Sequence, residues 1–302
     1  MMRKYNLQLA VKFLAILSLA AGCDMPSQAP TAPTPEAGQP TGNNPAANGN
    51  SSDASIDNSG SSEAGDVSAV VAETLAYAEV DERLVYGHFA FPANMVDPLP
   101  GVIVVHERWG LDDGVRAQAD RLAAQGFVVL AVDLYGGATA TDVSSASPLM
   151  VQVLENPQLA EDNIRQAYQF LIDTGPAPAI GAMGWSFGGG WALNTALLFP
   201  DELDATVIYY GQVSDDQERL EPLNVPVLGL FGARDRGVTA ETVDGFEAAL
   251  EALGKDYDIR TFPDVGHGFA DPDSATYNAV VAEEAWTLTI DFLNRHLVEN
   301  AD

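Results

Sequence analysis

Cysteine and positive charge are both scarce in this chain. One cysteine, Cys23, stands among 302 residues, so no intramolecular disulfide can form. The histidines are His88, His106, His267 and His296, and no set of His and Cys has the spacing of a zinc site. No metal or organic cofactor is expected. Lysine and arginine together number 14 against 43 acids, for a formal net charge of −29. That balance opposes nucleic-acid binding and the approach of polyanions. The acids are spread along the chain, which reads as a solvated acidic surface rather than an acidic binding face. No G-x-x-x-x-G-K-[ST] occurs, so a nucleotide phosphate loop is not expected. No apolar run is long enough to span a bilayer as a helix.

What is present begins at the N-terminus. Arg3, Lys4 and Lys12 give a basic start, an apolar run follows from Phe13 to Ala21, and no acid occurs before Asp24. This is the pattern of a secretory signal over residues 1–22. Its end, Leu19-Ala20-Ala21-Gly22-Cys23, resembles the lipobox of bacterial lipoproteins. The resemblance implies cleavage before Cys23 and acylation of that residue, and several acyl chains on one residue make a stable anchor. The expected location is the cell envelope, on the periplasmic face of the inner or outer membrane. Loss of the signal would make the chain more acidic still, and Lys255 would be its last lysine.

Residues 23–68 are rich in Pro, Ala, Gly, Ser, Thr and Asn, with Met25 and Ile56 as the large apolar residues of the stretch from Asp24 to Asp66. Such a segment buries too little apolar area to offset its ordering entropy, and it reads as a disordered tether. Residues 69–302 are long enough for one α/β domain with a full core.

Within that domain the patterning alternates. Arg83 to Phe91 alternates apolar with polar, predicting an antiparallel strand near an edge. Val102-Ile103-Val104-Val105 is a continuous β-branched run, as in a strand buried on both faces. Helices are predicted over Asp112–Gln125, Asn156–Asp173, Ser186–Phe199, Ala240–Leu253 and Asp273–Leu297. Strands are predicted over Phe127–Val132, Ala179–Met183, Ala205–Tyr210, Val225–Phe231 and Tyr257–Phe262. Strands alternating with helices predict a mostly parallel sheet with helices on both faces. Ligands of such sheets bind at the carboxyl ends of the strands.

Gly184-Trp185-Ser186-Phe187-Gly188 is G-x-S-x-G between a predicted strand and a predicted helix. That context is the nucleophile elbow, a strained turn that lifts a serine hydroxyl above the sheet. The Phe187 N–H then stands at a helix N-terminus, where an oxyanion would form. A serine needs a base, and His267 lies in Pro263-Asp264-Val265-Gly266-His267-Gly268-Phe269, a loop after a strand. Asp235, after the strand ending at Phe231, is the candidate to orient the imidazole. Asp264 and Asp133 are alternatives. The order Ser186, Asp235, His267 is that of the α/β-hydrolase fold.

Together these motifs resemble the dienelactone hydrolase family of α/β-hydrolases, over about Arg83 to Leu297. The motifs are Val102-Ile103-Val104-Val105-His106-Glu107-Arg108-Trp109-Gly110, Asp133-Leu134-Tyr135, Gly184-Trp185-Ser186-Phe187-Gly188-Gly189, Gly232-Ala233-Arg234-Asp235 and Gly266-His267-Gly268-Phe269. The resemblance implies that the Arg108 backbone N–H is the second oxyanion donor and that Glu107 is the buried glutamate beside the nucleophile. Tyr135 and Trp185 would shape the pocket. Founding members of the family carry cysteine where this chain has Ser186. They also carry substrate-binding arginines where it has Gly136-Gly137 and Asp271. A neutral ester or lactone is therefore expected rather than an anionic one, with no cofactor. A peptidase, thioesterase or deacetylase using the same three residues, or a binding lipoprotein on a hydrolase scaffold, are the competing readings.

Overall fold

The computed structural model describes residues 69–299. The expected signal, Cys23 and the whole of the expected tether lie outside the described residues.

An antiparallel hairpin opens the described chain. Its strands are β1 (Val70–Val80) and β2 (Arg83–Pro92). Asp81 and Glu82 both have positive φ, 50° and 60°, the left-handed backbone region that two-residue hairpin loops use so that their twist matches that of the flanking strands. The remaining strands are β3 (Gly101–Val105), β4 (Val128–Val132), β5 (Ile180–Trp185), β6 (Ala205–Tyr209), β7 (Val227–Gly232) and β8 (Tyr257–Phe262). They form one sheet in the order β1-β2-β4-β3-β5-β6-β7-β8. β2 joins β4 antiparallel, and every pairing from β4 to β8 is parallel. All residues of β3 to β7 are buried. This is what their unbroken apolar runs require, because a parallel sheet is covered on both faces.

The helices are α1 (Asp113–Ala123), α2 (Val143–Glu155), α3 (Pro157–Asp173), α4 (Phe187–Leu198), α5 (Gln217–Leu220), α6 (Ala240–Ala252) and α7 (Ala279–Leu293), with a π-helical turn at Asn294–Glu299. Local chemistry sets their ends. The Asp112 carboxylate accepts the Val115 N–H at 3.0 Å at the start of α1. Gly126, at φ 100°, turns the chain away after that helix. No helix among the described residues is long and apolar enough to cross a membrane.

Three sequence expectations are corrected. The last helix starts at Ala279 rather than Asp273. Asn278 caps it by accepting from Val280 and Val281, and residues 271–278 instead form turns against the loop of His267. Helix α2 was not expected, because only Ala146 and Val153 of it are buried and Pro148 interrupts its interior. Strand β1 was not expected either, since most of its side chains are exposed.

Parallel strands bring their carboxyl ends to one edge. Glu107 and Arg108 follow β3, Tyr135 follows β4, Ser186 follows β5 and Tyr210 follows β6. Asp235 follows β7 and His267 follows β8. The topology therefore gathers residues far apart in sequence into one region.

Candidate active site

The turn between β5 and α4 is held by close backbone contacts. Ser186 has φ 54° and ψ −113°, a conformation L-residues rarely adopt and one that persists only when its surroundings enforce it. A Cβ at Gly188 would stand 2.1 Å from the Val105 carbonyl oxygen and 2.5 Å from that of His106. One at Gly184 would stand 2.3 Å from the Gly188 carbonyl oxygen. Both positions must be glycine for the helix to sit this tightly on the strands. The Ser186 N–H donates to the Tyr209 carbonyl at 2.9 Å, which fixes the turn on the neighbouring strand.

The structure brings the three expected residues into one chain of hydrogen bonds. Ser186 Oγ lies 2.8 Å from His267 Nε2. His267 Nδ1 lies 2.7 Å from Asp235 Oδ2. A carboxylate can only accept here, so Nδ1 carries the proton and Nε2 is the acceptor for the serine hydroxyl. The other carboxylate oxygen, Asp235 Oδ1, accepts the Gly237 N–H at 2.7 Å and the Val238 N–H at 3.0 Å. Burial pushes the Asp235 carboxyl up, but the bonds from His267, Val238 and Gly237 outweigh it and hold it below its usual value. Its side chain is 1% exposed while that of His267 is 32% exposed. The acid is sealed beneath the imidazole, and the imidazole edge faces the cavity.

The alternative acids are engaged elsewhere. Asp264 forms a surface ion pair with Arg234 at 2.6 Å. Asp133 accepts from the Tyr135 N–H at 2.8 Å and from the Gly137 N–H, closing the turn after β4. The other histidines also have separate partners. His88 Nε2 meets Asp120 at 2.7 Å, and His296 packs on Phe292. His106 is fully buried: the Leu134 N–H donates to its Nε2 at 3.1 Å, and its Nδ1 lies 2.6 Å from the Glu107 carbonyl oxygen. Burial holds His106 below the usual imidazole value. It is a neutral strut between the loops after β3 and β4, and so it places Glu107 and Arg108.

A cavity of about 540 Å³ opens over Ser186. Arg108, Phe187, Trp191, Tyr210 and His267 contribute to its wall, along with Met150 and Leu154 of α2. Phe187 is the first residue of α4, where a backbone N–H has no carbonyl of its own helix to meet. Trp191 is buried, and its indole N–H has no hydrogen-bond partner. Arg219, which the sequence did not single out, also reaches this cavity and donates to Asn194 Oδ1 at 2.6 Å.

Glu107 and Trp185 line a smaller cavity of about 180 Å³ with Tyr210, Trp109, Asp112 and Asp271, and Glu107 also lines a cavity beside His267 and Arg108. Trp185 is thus placed away from the serine cavity, against Tyr209. Tyr135 also stands back from it, with its ring packed between His106 and Phe187. The Glu107 carboxyl is pushed up to about 7, chiefly by burial and then by the nearby Asp271 charge, against the bond from Tyr210. Asp271 is itself raised, first by burial.

Tyr210 is a second residue of the site that the sequence reading missed. Its φ of 37° turns it out of the strand line just after β6. Its hydroxyl donates to Glu107 Oε1 at 3.2 Å, and its ring packs 5.1 Å from that of His267. The signal available was its place directly after a buried strand, on the same edge as the serine. Among the described residues no group of three or more His, Cys, Asp or Glu side chains is placed to hold a metal ion.

The chain matches the dienelactone hydrolase family over residues 85–297. It is 32% identical over 206 residues to protein usf of Aquifex pyrophilus, covering 66% of this chain and 89% of that protein. It is 28% identical over 243 residues to a protein of Saccharolobus solfataricus named "Putative carboxymethylenebutenolidase", covering 68% of this chain and 93% of the relative. Among solved structures, the "Putative Dienelactone Hydrolase" of Klebsiella pneumoniae subsp. pneumoniae superposes with a TM-score of 0.69 at 26% identity, over 75% of this chain and 99% of the other. The fold is the α/β-hydrolase fold expected from the motif order.

Proposed function

Because this chain belongs to the dienelactone hydrolase family, we propose that it is a serine hydrolase of carboxylic ester or lactone bonds, exported and lipid-anchored, that works through an acyl-enzyme. The observation that carries the reading is the continuous chain Ser186 Oγ, His267, Asp235, with links of 2.8 Å and 2.7 Å, on a turn strained at the serine. Ser186 Oγ attacks the carbonyl carbon and its proton passes to His267 Nε2. The negative oxygen that forms is met by the backbone N–H groups of Phe187 and Arg108. The bond to the alcohol breaks as His267 returns the proton to the leaving oxygen. Water then attacks the acyl group, gives a proton to His267, and Ser186 recovers it as the acid departs. Asp235 holds the imidazole in the required tautomer and stabilises its cation.

A neutral substrate fits the surroundings best. Asp271 stands where founding members of the family carry an arginine, and it shares its cavity with Glu107 and Asp112. A carboxylate there would meet like charge. On the serine side, Arg219 is already held by Asn194. Anchoring rests on Cys23, the chain's one cysteine, standing directly after Leu19-Ala20-Ala21-Gly22.

The test is hydrolysis of p-nitrophenyl acetate by protein beginning near Ala69, beside Ser186→Ala and His267→Ala. Turnover in the wild type and its loss in both variants supports the hydrolase. A folded wild type with no turnover supports a binding lipoprotein instead. Metabolic labelling with a fatty acid, lost in Cys23→Ala, tests the anchor separately.

A further inference from the structure

The proposed hydrolase reading leaves open what the ester carries, and helix α2 speaks to this. Met150 and Leu154 of α2 line the cavity that holds Ser186. They are four residues apart, so they share one face of the helix. Apolar side chains also reach solvent on and beside this face: Val143 and Leu154 are each 59% exposed and Val151 is 48% exposed, among exposed polar residues at Ser144, Ser145, Ser147, Gln152 and Glu155. Glu155, at its C-terminal end, is the one charged residue of the helix, in a chain that is 19% charged. Surface helices of soluble domains normally turn a charged face outward. α2 instead extends the apolar wall formed by Phe187, Trp191 and Val213 out of the cavity.

Its anchoring differs too. Only Ala146 and Val153 of α2 are buried, and Pro148 removes a rung of its hydrogen-bond ladder. The outward apolar side chains therefore contribute little to holding the helix in place. A lone exposed leucine needs no explanation, but a run of apolar residues continuous with a reactive cavity does.

We infer that the face of α2 bearing Met150 and Leu154 is the track for the hydrocarbon chain of the substrate's acyl group, so that the enzyme prefers esters of medium-length unbranched acids over acetate. The occupant is an apolar chain because the track is uncharged. It belongs to the substrate because the track begins at the wall of the serine cavity. Each methylene laid on this face leaves water. That predicts a rise in kcat/KM of roughly two- to fourfold per added methylene until the track ends.

The experiment measures kcat/KM for p-nitrophenyl acetate, butyrate, hexanoate and octanoate with the wild type, Leu154→Asp and Val96→Asp. Val96 is 91% exposed and lies outside the site, so its variant controls for an added surface charge. The inference expects the octanoate-to-acetate ratio to exceed ten in the wild type and in Val96→Asp. It expects that ratio to fall at least fivefold in Leu154→Asp. A wild-type profile that is flat or falls with chain length overturns it. So does an unchanged ratio in Leu154→Asp, even where that variant loses self-association or vesicle binding, because the face would then cover a partner or a bilayer. A preference for the monosuccinyl ester over the butyrate also overturns it, by assigning the cavity to Arg219. Failure of the hydrolase reading looks different: no ester is turned over at any length.

Discussion

Asp235 reaches His267 with one carboxylate oxygen, 2.7 Å from Nδ1, and spends the other on the backbone N–H groups of Gly237 and Val238. The acid therefore cannot rotate away from the imidazole without breaking bonds to its own loop. Replacing it with asparagine keeps the shape but places a donor where only an acceptor fits, and the imidazole loses the partner that fixes its tautomer. Asp235→Asn should lower kcat by on the order of 10³–10⁴-fold with a much smaller change in KM. Steady-state kinetics on p-nitrophenyl acetate checks this. A loss under tenfold would show that Asp235 does not orient the base.

The elbow makes a prediction about stability. A methyl at Gly188 would meet the Val105 carbonyl oxygen at 2.1 Å, whereas one at Gly190 meets nothing closer than 3.4 Å. Gly188→Ala should therefore destabilise the domain by about 3 kcal/mol, as backbone must shift to admit the side chain. Gly190→Ala, inside α4, should be neutral or stabilise by up to about 1 kcal/mol through the better helix propensity of alanine. Urea unfolding of the two variants side by side reads the difference directly.

Glu107 links structure to pH. Its carboxyl is raised from 4.5 to about 7, so the folded protein holds this proton where the unfolded chain has released it. By linkage, stability from this group falls as pH rises from 4.5 to about 7 and levels off above that. Glu107→Gln removes the titration. Its stability relative to the wild type should improve across that same interval and stay constant from pH 7.5 to 9. Thermal melts of both proteins across pH 5 to 9 test the sign, and a difference independent of pH would contradict it.

How much of this was legible beforehand follows from where the information lies. Ser186 and Asp235 each follow a buried strand, and runs such as Val102–Val105 announce such strands through composition alone, whereas His267 follows β8, an edge strand of which only Phe262 is buried. The glycines around Ser186 are local requirements, so they too are visible in sequence. Tyr210 was not, because nothing in Ile208-Tyr209-Tyr210-Gly211 says which tyrosine leaves the sheet. That is settled in space, where Gly211 lies against the backbone of Gly189. Helix α2 escaped detection because only Ala146 and Val153 of its apolar residues are buried, and the rest follow the cavity or solvent rather than the core. β1 escaped because an exposed edge strand lacks the apolar run that marks a buried one. Likewise Tyr135 lies just after β4 and Trp185 ends β5, on the same edge as Ser186, yet their rings pack away from the serine cavity. Position after a strand fixes the neighbourhood and leaves the direction of the side chain open.

The central claim is that Ser186 is an activated nucleophile, and covalent trapping tests it most directly. The protein should be treated with a fluorophosphonate, then digested and mapped by mass spectrometry. The account predicts a single phosphonyl adduct on Ser186, absent from Ser186→Ala and formed much more slowly in His267→Ala. A folded protein that takes up no label, or takes it up at another residue with Ser186 free, would contradict it.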